Sequence, residues 1–517
     1  MILDLIIVVV YFTAVFVIAI RGRQGKDASI EEYFLSSRNL RWPSIAISTI
    51  ATNVQGYQFL GMMGSAYLYG LAQANLEINA MQGILMAAFI FVPLYLKDKV
   101  ITITQFIKSR LGSKVALFYS LANLALLSTI GLGAALFWGA FAADLVFGEF
   151  LEFISPDRLT RISVLVVGLG LFSAIYTYFG GLAAVVKTDI IQFGILTAGG
   201  IIITVVALNN AGGFSALYEK APEMMHLHLP ADHPQLPWIA IFGMFLLNIN
   251  YWCANQSVMQ RSLAAKSLKE AQIGLMVGGV MKYFMAILII IPGIALAVIL
   301  DGNQLADPDE TFPYLVKNFL PLGLRGLILC ALFASLMSTV DSLFNSLSTL
   351  WSIDIYKTYL KKDATDQQVV NTGRKTIVFT LITGIVMGLV LLYVKFENPE
   401  AAFTHTLNNL RYYINCGIVV VVCLAAFLVA PNHRLALISF ASTIPLHILI
   451  IQLFPEMNYF VRAMWVIVAA FTITAIPATF DKGWLKMGQV FQSNSARIKQ
   501  IGWGLLGSLV LLHIIFH

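Results

Sequence analysis

The sequence predicts an all-α polytopic membrane protein, and two observations carry this prediction. Of the 517 residues, 58% are hydrophobic and 12% are charged, and the mean hydropathy is +0.80, whereas soluble chains carry about 25% charged residues. A helix needs about 20 apolar residues to cross the hydrocarbon, and roughly fourteen such stretches follow one another along the chain. They lie at 2–20, 43–69, 78–97, 114–146, 160–179, 183–208, 236–258, 270–300, 324–352, 374–394, 402–430, 434–454, 460–480 and 498–516.

The loops between these stretches alternate in charge. The first stretch has no basic residue before it and no cleavage site after it, so we expect a retained helix rather than a signal peptide. Basic residues concentrate in the loops at 21–26, 97–114, 261–269 (which begins with Arg261), 357–375 and 482–499. Such loops stay cytoplasmic, so both termini are predicted to be extracytoplasmic. This bias also accounts for the net charge of +6, and no nucleic-acid partner is expected.

The second and seventh stretches are interrupted by polar residues. The second contains TNVQGYQ at 52–58, and the seventh contains NINYWCANQ at 248–256. They are five stretches apart and therefore cross in opposite directions, as in an inverted repeat with broken helices. We predict a single transmembrane domain over 1–517, divided into an extra N-terminal helix at 1–40, a first repeat at 41–208, a second repeat at 236–430 and C-terminal helices at 431–517.

Backbone that is unwound at membrane depth is tolerated only where it is buried in protein or lines a cavity. The amides at the two interruptions are therefore either substrate ligands or groups that hold helices together. Because two such clusters stand at repeat-related positions, the binding-site interpretation is favoured.

Five ionisable residues lie within or at the edge of the predicted spans, and each is a candidate functional residue because isolated charge in the membrane is costly. They are Glu77, Asp189, Lys282, Asp341 and Arg411. A Glu77–Lys282 pair across a cavity would neutralise both charges and offer acceptors and donors to a polyhydroxylated ligand. The alternatives are an interfacial carboxylate for Glu77 and a snorkelling side chain for Lys282.

The ninth stretch carries a stripe of hydroxyl groups. Its members are spaced by 3, 1, 3 and 4 residues, so they share a helix face; they are Ser335, Ser338, Thr339, Ser342 and Ser346. Hard cations prefer oxygen ligands, and hydroxyls facing unwound carbonyls of the second stretch would form a sodium site. The alternative is close helix packing. Asp341, beside the stripe, would hold a second cation or a proton, or would be paired.

Three motifs resemble those of the sodium:solute symporter family. The second and third of them resemble the sodium/glucose cotransporter branch of that family. The three motifs are YFGGLAAVVKTDIIQFGIL at 178–196, NYWCANQSVMQRSLAAKSLKEAQIG at 250–274 and ASLMSTVDSLFNSLSTLWSIDIYK at 334–357. The resemblance runs over about residues 1–480. It implies a leucine-transporter-type 5+5 inverted repeat with fourteen helices.

The resemblance also implies a set of binding residues. The implied sodium ligands are the carbonyls of Ala51, Val54 and Ser335 and the hydroxyls of Ser338 and Thr339. The implied sugar ligands are Asn53, Gln58, Glu77, Asn248 and Lys282, with Tyr251 as an aromatic inner gate and Trp252 and Asn255 behind it. Some members bind a second sodium with an acid matching Asp189 and hydroxyls near Ser338 and Ser342.

The sequence departs from the family pattern at three positions. Asn408 aligns with a glutamine, Arg411 with a small hydroxyl residue, and Asp341 with a serine or threonine of the second sodium site. Arg411 would shrink the solute site or favour an anionic sugar, or it would form a salt bridge in the outer vestibule.

Together, these features predict a sodium-coupled secondary active symporter that imports a hexose such as galactose or glucose by alternating access. The alternative solute is a polyol such as inositol, a sugar acid or another organic anion. A ligand sensor or a membrane enzyme is disfavoured, because neither a soluble signalling domain nor a catalytic constellation is visible in the sequence.

The expected partners are a small-molecule solute, sodium and the lipid bilayer. Sodium is the co-transported ion, no organic cofactor is expected, and the chain is expected to be a monomer or a weak oligomer. All four cysteines and the lone Asn-x-Ser/Thr site at Asn255 fall within predicted spans, which favours a bacterial inner membrane.

Overall fold

The computed structural model describes residues 2–21, 25, 28–56, 58–302, 305–321, 323–397 and 403–517. Within these ranges the regular elements are all helices. The main ones are α1 (Ile2–Arg21), α2 (Trp42–Asn53), α3 (Gln58–Lys97), α4 (Ile103–Leu151), α5 (Arg158–Ala211), α6 (Ala240–Ala254), α7 (Gln256–Leu263), α8 (Leu268–Leu300), α9 (Leu324–Leu360), α10 (Asp366–Glu397), α11 (Phe403–Phe427), α12 (His433–Leu453), α13 (Tyr459–Asp481) and α14 (Ala496–Ile515). Shorter helices include Ile30–Leu35, Phe214–Lys220, Thr311–Phe319 and Met487–Val490.

Eleven continuous helical stretches in the described part of the chain are long and apolar enough to cross a membrane, so the predicted count of fourteen is not confirmed. The two counts differ largely because some predicted spans are joined in one long helix and others are broken into shorter helices. α5 has 54 residues, and at about 1.5 Å per residue it would be roughly 80 Å long if straight, more than twice the hydrocarbon thickness. The two stretches predicted at 160–179 and 183–208 are therefore joined within it.

The turn between these two halves of α5 depends on Gly181. Its backbone has φ +54°, a left-handed value inside an otherwise right-handed helix. A Cβ atom at this position would lie 2.4 Å from the carbonyl oxygen of Tyr33. Glycine is required here both for the dihedral angle and for the close approach of the Ile30–Leu35 helix.

The two predicted interruptions are present as breaks in helical backbone. α2 ends at Asn53, and Val54 is extended with φ −77° and ψ 106°. Asn255, between α6 and α7, is extended in the same way with φ −81° and ψ 116°. The second and seventh predicted spans are thus discontinuous, as their polar sequences indicated.

Several helices begin at a side-chain cap that bonds a free amide of the first turn. The Asp157 carboxylate accepts from the Thr160 amide at 2.8 Å, and the Asn255 amide oxygen accepts from the Ser257 amide at 2.9 Å. Asn255 therefore both ends α6 and starts α7, which fixes the position of the second break.

α9 is the central helix of the bundle. In the most apolar 18-residue segment of α9, 94% of the residues are buried, whereas the corresponding segments of α12 and α14 are 22% and 17% buried. Apolar side chains such as Phe379, Ile382 and Ile514 are instead exposed on the outside of the protein. An apolar exterior on helices suits a lipid environment, in which backbone groups must be satisfied within helices.

Candidate functional site

A cavity of about 820 Å³ lies between the two broken helices and extends to one side of the bundle. Most of the predicted solute ligands line it, namely Asn53, Glu77, Asn248, Tyr251, Trp252, Lys282, Asn408 and Arg411. Its mouth is formed by loop residues that include Gln235, Asp307 and Asp309. The volume falls within the range of small-molecule sites.

A buried ion pair crosses the cavity wall, as the sequence predicted. Lys282 Nζ donates to Glu77 Oε2 and to Asn53 Oδ1, and Lys282 and Glu77 are both only 2% exposed. Each charge is neutralised by its partner, which reduces the cost of placing it at membrane depth. The pair joins α8, the first half of α3 and the end of α2 at one point.

Gln58 was predicted to be a solute ligand, but the structure places it behind the cavity wall. It is fully buried and is absent from the lining residues. Its amide nitrogen donates to Glu77 Oε1 at 2.7 Å, and its amide oxygen accepts from the Gln55 backbone at 2.6 Å. Gln58 therefore positions Glu77 and supports the helix break, rather than facing the solute.

The other predicted polar ligands that line the cavity come from α6 and α11. Asn248 Nδ2 donates to the Asn79 carbonyl at 2.9 Å, which ties α6 to the start of the third predicted span. Asn408 and Arg411, both partly buried, line the cavity from α11. The cavity is therefore lined by amide donors and acceptors from three helices and by the Arg411 guanidinium.

The end of the cavity distant from this mouth is closed by aromatic residues and backbone contacts. The rings of Tyr251 and Trp252 are 5.1 Å apart and meet edge to face. Behind them, the hydroxyls of Tyr95 and Tyr119 donate to the carbonyls of Cys253 and Ala254 at 2.8 and 3.0 Å. These bonds hold the break in place and separate the cavity from the loops predicted to be cytoplasmic.

The predicted sodium ligands meet where α2 breaks against α9. The Gln55 amide donates to the Gln58 side chain, so it does not cap the Ala51 carbonyl as it would in a continued helix. The Val54 carbonyl accepts from Ser335 Oγ at 2.8 Å. Unwinding therefore presents backbone oxygens to the hydroxyl stripe, which is the chemistry that a hard cation prefers.

Two further stripe hydroxyls complete this region. Thr339 Oγ1 lies 3.2 Å from the Ser335 carbonyl and 3.3 Å from the Thr52 carbonyl. Ser338 Oγ, by contrast, donates to Asp189 Oδ1 at 2.5 Å. Ser338 Oγ could therefore bind a cation only while its hydroxyl also donates to the Asp189 carboxylate.

The region predicted for a second cation also contains Arg261. Arg261 was interpreted as a cytoplasmic loop residue, but its side chain is fully buried. Its Nη2 atom lies 3.3 Å from Asp189 Oδ2 and also donates to Ser342 Oγ. The Arg261 guanidinium already places one positive charge between the predicted ligands Asp189 and Ser342.

Asp341 lies in a separate polar group. Its carboxylate oxygens accept from the Tyr176 hydroxyl and, at 3.4 Å, from the Thr177 hydroxyl, both on α5. Asp341 is fully buried, and no basic side chain of the described residues forms a salt bridge with it. These hydrogen bonds of Asp341 lead to α5 and not to Ser342 or Asp189, so a second cation held by Asp341 and Ser342 stays a prediction.

Sequence reasoning missed several polar residues of the site. Asn415 lines the cavity seven residues after Asn408, and this i, i+7 spacing on one helix would have identified it. Asn123 lines the cavity from α4, but it follows an ordinary apolar pattern in the sequence. Arg261 could have been recognised from its place in the 250–274 motif, where it follows the break by six residues.

Known proteins resemble this chain over most of its length. The model of the sodium:solute symporter family matches residues 33–442. The "Sodium/glucose cotransporter" of Vibrio parahaemolyticus is 30% identical over 473 residues, which are 86% of this chain and 84% of the relative. "Sodium/glucose cotransporter 4" of Mus musculus is 31% identical over 418 residues, covering 74% of this chain and 59% of the relative.

A solved structure shares the fold. A Na⁺-coupled sialic acid symporter in a substrate-bound outward-open state superposes with a TM-score of 0.77 at 19% identity, over 93% of this chain and 99% of that chain. The predicted all-α, leucine-transporter-type inverted-repeat fold is thereby confirmed. With its broken helices, its interior cavity and a family match over most of its length, the chain belongs to the sodium:solute symporter family.

Proposed function

We propose that the protein imports a hexose, such as galactose or glucose, together with sodium by alternating access. The relatives named above are sodium/glucose cotransporters, which favours a sugar over the alternative of a polyol or organic anion. The observation that carries the proposal is the Glu77–Lys282 pair in the cavity wall beside Asn53. A carboxylate, an ammonium and amides in one wall can bond the alternating hydroxyls of a sugar.

The sodium ion is proposed to bind at the ligands Ala51, Val54, Ser335, Ser338 and Thr339. The break in α2 beside Ala51 and Val54 supports this site, as do the contacts of Ser335 Oγ with the Val54 carbonyl and of Thr339 Oγ1 with the Thr52 and Ser335 carbonyls. An ion there would link α2 to α9 and so stabilise one arrangement of the two helices. Because binding can shift a conformational equilibrium only through differential affinity, sodium would favour the arrangement in which these oxygens converge.

The solute is proposed to lie between the ion pair and the amides of Asn248 and Asn408, with Tyr251 beneath it. Tyr251 and Trp252 at the closed end would form the last barrier before release. Arg411 is proposed to set the upper limit of solute size. A second cation at Asp189 and Ser342 would have to share both groups with Arg261, and Asp341 is proposed to act apart from them.

The protein is proposed to lie in a bacterial inner membrane with both termini extracytoplasmic. Alternation of basic and non-basic loops supports this orientation. The cavity mouth at Gln235, Asp307 and Asp309 then faces outside, and the closed end faces the cytoplasm. The repeats are proposed at 41–208 and 236–430, and the protein is proposed to be a monomer or weak oligomer.

Uptake into proteoliposomes tests the proposed function. Purified protein is reconstituted, and accumulation of radiolabelled galactose, glucose, inositol and a sugar acid is compared under inward sodium and potassium gradients. We expect accumulation of a hexose under the sodium gradient and its loss when the gradient is collapsed. Sodium-independent equilibration would overturn the coupling, and accumulation of the sugar acid alone would overturn the sugar assignment.

A further inference from the structure

A histidine cluster lies at the proposed outer end of α14, away from the solute cavity. It consists of His226 and His228 on the loop before α6 and His513 and His517 at the end of α14. The His228 ring centroid lies 5.2 Å from that of His513 and 4.9 Å from that of His517. Half of the eight histidines of the chain therefore meet at one contact between a loop and a helix.

The hydrogen bonds around the cluster fix the protonation of His513. Asn79 Nδ2 donates to Asn75 Oδ1 at 3.1 Å, so the Asn79 side-chain oxygen is the atom that faces His513 Nε2, at 2.9 Å. Since this oxygen can only accept, His513 Nε2 carries the hydrogen and Nδ1 carries the lone pair. An imidazole whose second nitrogen donates to an amide oxygen is held as metal-binding histidines are held.

The lone pair of His513 points at His228. His513 Nδ1 and His228 Nε2 are 3.1 Å apart, and two nitrogens bound tetrahedrally to one zinc ion at about 2.0–2.1 Å would be separated by roughly 3.3 Å. His228 Nδ1 is buried and has no hydrogen-bond partner among the described residues. The hydrogen of His228 can therefore move from Nε2 to Nδ1, which frees a second lone pair without loss of a proton.

We propose that this histidine cluster binds one divalent transition-metal ion, with His228 Nε2 and His513 Nδ1 as its first two ligands. Imidazole nitrogens suit zinc, copper and nickel ions. His517 lies two residues beyond the end of α14, and its ring centroid is 4.9 Å from that of His228, close enough to supply a third ligand. Among the described residues no three such side chains are already converged, and the proposed site is completed when the His517 ring rotates toward the ion.

The cluster is connected to the solute cavity through Asn79. The side chain of Asn79 bonds His513, and its carbonyl accepts from Asn248, a proposed solute ligand. An ion held by His228 and His513 would fix α14, the loop and Asn79 to one another. We infer that this restraint on Asn79, and through it on Asn248, would slow transport when the ion is added from the outer side.

Zinc binding to the purified full-length chain, without a polyhistidine tag, tests the site. Calorimetric titration with zinc chloride should give one ion per chain, and affinity should fall at least about tenfold in His228→Ala and His513→Ala. His433→Ala, an exposed histidine at the start of α12, is the control and should bind as the wild type does. Variants are compared only as monodisperse fractions, and His228→Asn repeats the test with a smaller change of shape.

Zinc bound equally by the wild type and by all cluster variants, or no zinc bound by the wild type, would overturn the proposal. This measurement does not depend on what the protein transports. In right-side-out proteoliposomes, external zinc should lower sodium-driven uptake several-fold, and a chelator should restore it. The ratio of uptake with and without zinc should approach one in His513→Ala; an unchanged ratio there would refute the link through Asn79.

Discussion

At the scale of single residues, the site depends on charges that are paired where water is excluded. Glu77 and Lys282 are both only 2% exposed and are bonded to each other. Removing one member of such a pair leaves the other buried without compensation, which typically costs about 3–5 kcal/mol. The pair therefore contributes to folding as well as to the chemistry of the cavity, and a single substitution tests both together.

A double substitution separates these two roles. We expect Lys282→Met to lose uptake and to lower the melting temperature, because Glu77 becomes an unpaired buried carboxylate. Glu77→Gln together with Lys282→Met should recover most of the melting temperature, since no charge remains unpaired, but should not recover uptake. Thermal unfolding in detergent and uptake in proteoliposomes measure the two effects, and recovery of uptake in the double variant would contradict a solute-binding role.

The hydroxyl of Thr339 offers a more selective test of the sodium site. Thr339→Ala removes one proposed ligand from a carbonyl-lined position, and loss of one such oxygen contact should cost about 1–2 kcal/mol of sodium binding. The sodium concentration for half-maximal uptake should rise about 5–30-fold by the same arithmetic. Sodium titrations of initial uptake rates provide the measurement.

Thr380→Ala is the matched control for this experiment. Thr380 is a buried threonine on α10 whose hydroxyl bonds the Thr376 carbonyl within its own helix. It has the same chemistry as Thr339 but does not line the cavity. If both variants changed the half-maximal sodium concentration equally, the effect would come from a general destabilisation of the fold, and Thr339 would no longer be a candidate ligand.

At the scale of helices, the sequence predicted breaks more reliably than boundaries. The concentration of amides at 52–58 and 248–256 located both interruptions, because few other structures tolerate such polarity in an apolar span. It did not show that the stretches at 160–179 and 183–208 join within α5. No proline or charged loop separates them, and the turn depends on one φ angle at Gly181.

Substitutions of glycine within α5 test this turn. Gly181→Ala would force a Cβ to within 2.4 Å of the Tyr33 carbonyl at a φ of +54°, so we expect a fall of several degrees in the melting temperature and low expression. Gly194→Ala, on the same helix with open space around it, should be neutral or stabilising by up to about 1 kcal/mol. Equal melting temperatures for the two variants would contradict the role of Gly181 in the turn.

Side-chain partners were less predictable than helix breaks. The Glu77–Lys282 pair followed from the cost of two isolated charges, and the structure confirms the contact. Arg261 was misassigned because the predicted seventh span ended at 258, whereas α7, the second half of that broken span, continues to Leu263 and buries the arginine. The partner of Arg261 is Asp189, 72 residues earlier, and no local pattern reports such a separation.

At the scale of the whole molecule, the cavity ends in a mouth that carries both signs of charge. Asp307, Asp309, Lys395 and Arg411 all line it. Burial, and then the nearby Asp307 charge, raise the pKa of Asp309 to about 6. Since acidic groups at a cleft raise the local concentration of cations, the ionised form of Asp309 should assist the capture of sodium.

This pKa predicts a dependence of sodium affinity on external pH. The raised pKa means that Asp309 is ionised at pH 7.5 and becomes protonated as the pH falls through about 6, so the mouth loses one negative charge. One negative charge attracts a sodium ion by about 0.3–0.4 kcal/mol across roughly 10–15 Å of water. Loss of the Asp309 charge should therefore raise the half-maximal sodium concentration about two-fold between pH 7.5 and pH 5. Initial uptake rates over this pH range provide the measurement.

Asp309→Asn should have the higher sodium requirement at pH 7.5, where wild-type Asp309 is ionised, and should match the wild type at pH 5, where Asp309 is protonated. Its change between pH 7.5 and pH 5 should therefore be smaller than that of the wild type. Asp232→Asn removes an exposed carboxylate on the same side that does not line the cavity, and it should keep the wild-type response. A two-fold pH response that persists in Asp309→Asn would assign the titration to another group and remove Asp309 from the capture of sodium.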